Sequence, residues 1–174
     1  MEQLKQALED YLGLWLSEEV FMDKPRLNPG YNYNEALAEA ICESVCMIVV
    51  FSPLYEERSY CLREFFAMER IEEKRKQMLG EKYDRKRRMI IPIVLRGKPE
   101  DLPPKIKDIQ YRDFSKILLA TLTRNEEFDS VINTIAADIY KYYKDLKALN
   151  EKCDSFKLPP EEEARRSWIK STLT

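Results

Sequence analysis

The run Ser59-Tyr-Cys-Leu-Arg-Glu64 places a hydroxyl, a phenol, a thiol, a guanidinium and a carboxylate within six consecutive positions. It follows the apolar stretch Met47-Ile-Val-Val-Phe51 and the turn-like Ser52-Pro53. A buried strand that ends in a loop and then opens a helix is where open α/β sheets place their ligand sites. The spacing puts Glu64 in the first turn of that helix, where the helix dipole favours a negative charge. A carboxylate there can stabilise positive charge, but alone it defines no activity.

The rest of the composition narrows the chemistry. The chain has 174 residues and no histidine. That excludes Ser-His-Asp and Cys-His nucleophilic mechanisms, His-metal sites and the usual proton shuttle near neutral pH. Carboxylates, hydroxyls, thiols, Lys, Arg and Tyr remain. Cys42 and Cys46 lie four apart with no matching pair after them, so no zinc cage is expected. All four cysteines, Cys61 and Cys153 included, read as small buried hydrophobes or free thiols. A formal net charge of −2 gives no global field toward nucleic acid or an acidic membrane. No apolar run approaches the roughly 20 residues that span a bilayer. No leader is visible, and the expected location is the cytoplasm.

The elements that must position these residues alternate. Residues 2–16 show Leu4, Leu8, Leu12 and Trp15 at helical spacing, and Val20-Phe-Met22 is a short strand candidate. The loop Lys24-Pro-Arg-Leu-Asn-Pro-Gly30 leads to Asn34, which caps a helix over Glu35 to Glu43. Met47 to Phe51 and Met89 to Leu95 are apolar throughout, as in strands buried on both faces of a parallel sheet. Pro92 must then sit where no ladder donor is required. Between them runs a helix from Tyr60 to Leu79, whose charged half from Glu69 to Gln77 is expected to project into solvent. A weak edge strand is expected near Ile109 to Tyr111. From Glu126 a heptad-like stripe, Phe128 through Leu149 to Cys153, predicts a long last helix. It either covers its own sheet or offers its distal half to a partner helix. Residues 1–153 form one domain in this reading, and 154–174 a flexible polar tail. Strands alternating with helices indicate parallel α/β architecture.

Taken in order, these segments resemble the Toll/interleukin-1 receptor (TIR) domain family. Val20-Phe-Met-Asp23 is similar to the family's second strand, and Pro29-Gly30 to its BB loop. Ile48-Val-Val-Phe-Ser52 is similar to its third strand, Ile90-Ile-Pro-Ile-Val94 to its fourth, and Tyr111-Arg-Asp-Phe114 to its fifth-strand region. Ser59-Tyr-Cys61 with Glu64 resembles the family's Ser-Trp-Cys-x-x-Glu signature, with Tyr60 in the tryptophan position. The resemblance covers about residues 2 to 145 and implies a flavodoxin-like three-layer fold with a parallel sheet. The family's first, central strand has no counterpart in these residues and is expected to be missing, since the first element read is the first helix. The expectation is a start codon assigned too far downstream, with a swapped or partner strand and a degenerate protein as the alternatives.

The resemblance also implies a function. Many TIR domains cleave the nicotinamide-ribose bond of NAD+, with NAD+ as substrate and no cofactor, and bacterial ones act in immune or signalling systems. It carries the catalytic role to Glu64, places Ser59, Tyr60 and Cys61 around that carboxylate, and puts Pro29 and Gly30 at the border of the cleft. Leaving nicotinamide develops oxocarbenium-like charge on the ribose, which a fixed carboxylate stabilises. The other class is a non-catalytic scaffold, with self-association through Arg26 to Tyr33 or the outward face of the 60–79 helix. Nucleic-acid binding by Lys82 with Arg85-Lys-Arg-Arg88 is the weakest option, since a solvated loop explains the same residues. Neither nucleic acid nor a membrane is an expected partner.

Overall fold

A computed structural model of the chain describes residues 2–16, 20, 32–115, 126–149, 151–153 and 155–170. Its helices are α1 (Glu2–Leu12), α2 (Tyr33–Glu43), α3 (Ser59–Leu79), α4 (Pro104–Lys107), α5 (Glu126–Leu146) and α6 (Glu161–Lys170). The strands β1 (Met47–Phe51), β2 (Ile90–Val94) and β3 (Arg112–Asp113) form a parallel sheet in the order β1-β2-β3. The strand candidate at Val20 to Met22 and the loop through Pro29 and Gly30 lie outside the described residues, apart from Val20, which packs on the α1 side of the core.

The strands divide the core in two, because successive side chains point to opposite faces. Val49, Phe51, Ile90 and Val94 join Leu37, Ile41, Leu62, Phe65, Met68 and Ile71 on the α2 and α3 side. Ile48, Val50, Ile91 and Ile93 meet Leu4, Leu8, Phe128, Ile132 and Ile135 on the α1 and α5 side. The result is the expected three-layer α/β arrangement. Pro92 fits for a geometric reason. The amide of Leu95 bonds Phe51 O, so by alternation the nitrogen of residue 92 faces the β3 edge, where pairing begins only at Ile93 opposite Arg112.

Several expectations need correction. The tail half of α3 does not project into solvent: Glu72 and Arg75 are 1% and 3% exposed. Glu72 accepts hydrogen bonds from Tyr83 Oη at 3.0 Å and the amide of Met89 at 3.1 Å, and pairs with Arg88 at 2.7 Å. Arg75 donates to Cys42 O at 2.7 Å and Ser44 O at 2.8 Å, and to Glu151 at 2.7 Å. Buried charges persist because each one is paired and hydrogen-bonded. Arg87 and Arg88 are likewise ion-paired, to Asp84 and Asp145 and to Glu69 and Glu72.

The C-terminal expectations are corrected in part. α5 covers its own sheet through Phe128, Ile132 and Ile135, the first of the two readings, but it ends at Leu146, short of Leu149 and Cys153. Cys153 instead forms a disulfide with Cys42, with Cα atoms 5.7 Å apart. That corrects the assignment of these two as free thiols. A separation of 111 residues gives no local spacing signal. Within the expected tail, residues 155–170 are packed: α6 lies along α3 and buries Leu158, Pro159, Ala164 and Trp168. No helix among the described residues is long and apolar enough to cross a membrane.

Replacing Arg75 with Met leaves the Glu151 carboxylate with Lys74 alone and strands the α2 carbonyls, and should cost about 3 kcal/mol in urea unfolding. Pairing it with Glu151→Gln should recover part of that loss. Burial opposes the charge of Glu151, but hydrogen bonds from Arg75 and Lys74 outweigh it and hold the carboxyl below its ordinary 4.5. A lowered folded value means the stabilisation is present above the ordinary value and disappears as pH falls through the depressed one. Urea midpoints from about pH 7 to about pH 3 should therefore fall less steeply in Glu151→Gln than in the parent.

Candidate functional site

β1 ends at Phe51, residues 53–57 turn, and α3 opens at Ser59 after Arg58 in extended backbone. This is the carboxyl edge of the parallel sheet. Glu64 is the sixth residue of α3, so it lies in the second turn and not the first. The helix dipole fades within one turn, so packing, and not the dipole, sets its place. Ser59, Cys61 and Glu64 are half-buried, and Tyr60 is 46% exposed. Cys61 and Glu64 are three apart and Tyr60 and Glu64 four apart, so the helix brings all three onto one side.

Tyr60 is the site's outer wall. Its ring meets Tyr33 edge-on at 5.5 Å, and the Arg63 guanidinium lies 5.4 Å from its centroid. Arg63 also donates to Pro159 O at 2.8 Å and to Asn34 Oδ1 at 3.4 Å. The start of α2 is thereby held against the start of α3. Pro29 and Gly30 lie outside the described residues, which resume at Asn32, the α2 N-cap, next to Tyr33.

Sequence reasoning missed Tyr55. Its hydroxyl donates to Cys61 O at 3.0 Å, and its ring is buried. Burial first, then the Cys61 thiol and the Glu64 carboxylate, push its pKa well above the ordinary tyrosine value. The phenol therefore stays protonated and remains a fixed donor. The Glu64 carboxylate therefore acts electrostatically on the turn after β1. A tyrosine two residues past Ser52-Pro53 was the available signal, and it reads as ordinary turn composition.

A shallow depression of about 250 Å³, open space included, lies elsewhere. It is lined by Leu79, Tyr83, Arg87, Met89 and Tyr142, at the amino edge of the sheet and the far end of α3. The Cys46 thiol is pushed up to about 12 by burial, against the pull of Arg75, and is chemically quiet. Among the described residues no group of three or more Cys, Asp and Glu is placed to hold a metal. What the Ser59–Glu64 turn offers is one carboxylate with a thiol, a hydroxyl and a phenol around it.

Two comparisons bear on this arrangement. A family model described as TIR domain matches residues 1–130. Over 82 residues the chain is 35% identical to the Probable 2' cyclic ADP-D-ribose synthase BdTIR of Brachypodium distachyon. That stretch covers 47% of this chain and 30% of the relative, so the chain spans under a third of that protein's length. No solved structure matches. With well over half of the chain under the family model, and the parallel sheet and strand–turn–helix junction in place, the protein belongs to the TIR domain family.

Proposed function

We propose that this protein is an NAD+ nucleosidase in which Glu64 stabilises the ribose as nicotinamide departs. The observation that carries this reading is the half-buried Glu64 at the carboxyl edge of the sheet, beside the neutral phenol of Tyr55. The bond from the ribose carbon to the ring nitrogen breaks, and nicotinamide leaves with the electron pair. Positive charge then spreads over the ribose carbon and ring oxygen, and the Glu64 carboxylate offsets it. Water adds to that carbon and releases a proton, giving ADP-ribose. Attack by a hydroxyl of the same molecule gives a cyclic form, the kind of product named for the Brachypodium relative. Ser59, Tyr60 and Cys61 shape the pocket, with Pro29 and Gly30 bordering it. The reaction belongs to signalling or immune defence and to the cytoplasm, where the Cys42–Cys153 pair would meet reducing thiols.

A scaffold role through self-association or other TIR domains is the second reading. It draws on the exposed apolar side chains Tyr33, Leu54 and Tyr60, at 37%, 55% and 46%. Mass measurement in solution separates the two: assembly without NAD+ turnover favours the scaffold.

Purified protein incubated with NAD+ should release nicotinamide, followed by chromatography. Glu64→Ala should lower the rate by about 100-fold or more while the fold is kept. A variant as fast as the parent removes Glu64 from the chemistry.

A further inference from the structure

The family match stops at residue 130, yet the chain beyond it returns to the helix that carries Glu64. Trp168 of α6 is 7% exposed and touches both the connection after β1 and α3 itself. Its ring lies edge-on to Phe65 at 5.2 Å and tilted against Tyr55 at 6.0 Å. Its Nε1 donates to Glu56 Oε1 at 2.8 Å. Tyr55 is thus held between Trp168 and Phe51, whose ring is 5.7 Å away. From that place its hydroxyl bonds Cys61 O, the first-turn carbonyl one residue short of a full turn before Glu64.

The approach of α6 is itself secured. Arg63 Nε holds Pro159 O, Arg70 pairs with Glu163, and the Cys42–Cys153 disulfide ties down the chain upstream. A segment that merely covered core would need the apolar contacts alone. Here polar bonds converge on the turn and on α3 between Arg63 and Arg70.

We propose that Trp168 is a positioning residue which, through Tyr55, fixes the turn of α3 presenting Glu64. The C-terminal segment is then part of the NAD+-cleaving apparatus, although it lies outside the family match. The inference rests on the function proposed above. A carboxylate that serves a developing charge must be held to a fraction of an ångström, and a shift of about 1 Å costs about 100-fold in rate.

The test uses the full chain with Trp168→Ala, Trp168→Phe and Tyr55→Phe. Ile132→Val, in the opposite core layer, is the control for general loosening. Amide hydrogen exchange read by mass spectrometry reports the turn without requiring activity. Trp168→Ala and Tyr55→Phe should speed exchange over residues 57–66 by about 10-fold and leave 126–146 unchanged, as expected for local opening. Ile132→Val should leave 57–66 unchanged. In nicotinamide release, kcat should fall by about 10- to 100-fold with KM within about twofold. Trp168→Phe, which keeps a ring at the site, should restore most of kcat. Unchanged exchange over 57–66 in both variants overturns the proposal, as does an undiminished kcat. If the parent releases no nicotinamide while exchange at 57–66 still rises, the turn-setting role stands and the proposed reaction falls. Should Trp168→Ala fail to fold, Tyr55→Phe removes a single oxygen and carries the same two readouts.

Discussion

Arg75, beside the Cys42–Cys153 disulfide, joins stretches of chain far apart in sequence. Its guanidinium reaches the carbonyls of Cys42 and Ser44 at the end of α2, and the Glu151 carboxylate after α5. Helix ends leave carbonyls without partners, and here they are turned inward, away from water. A planar cation with five donors can satisfy several acceptors at once, which lysine cannot do in the same geometry. The course of the chain after Leu146 follows from this. It cannot extend as a free helix, because Glu151 is held against α3, and so it is directed back across that helix.

α3 then has a different task at each end. Its tail holds Glu72 and Arg75 in the interior at the amino edge of the sheet, and its head presents Glu64 at the carboxyl edge. A helix of 21 residues is stiff over that span, so the buried charges and the packing of Phe65, Met68 and Ile71 fix the angle at which its head stands. Tyr55 and Trp168 act on the remaining freedom, that of the first turn.

Much of this was legible in the residues. Met47–Phe51 and Ile90–Val94 are apolar without interruption, as strands between two helical layers must be. The strand–turn–helix junction around Ser59 to Glu64 followed from composition, and Pro92 announced an amide that no neighbour needs. What stayed hidden depends on partners distant in sequence. Glu72 and Arg75 sit among charges identical in type to solvated ones, and only Tyr83, Met89 and Glu151 distinguish them. Trp168 lies among Glu, Arg and Lys, and its apolar neighbours Tyr55 and Phe65 are over a hundred positions away. α3 starts one residue earlier than expected, and Glu64, fifth from Tyr60 and sixth from Ser59, lies past the first turn on either count.

Where thiols can oxidise, the cysteine linkage has a consequence for biosynthesis. Cys42 leaves the ribosome with Cys46 and Cys61 close behind it, while its mate is 111 codons downstream. At ordinary elongation rates that is roughly 5–20 s during which nearer thiols compete. Burial raises the Cys46 thiol to about 12, so once enclosed it carries little thiolate and competes weakly for Cys42 in thiol–disulfide exchange.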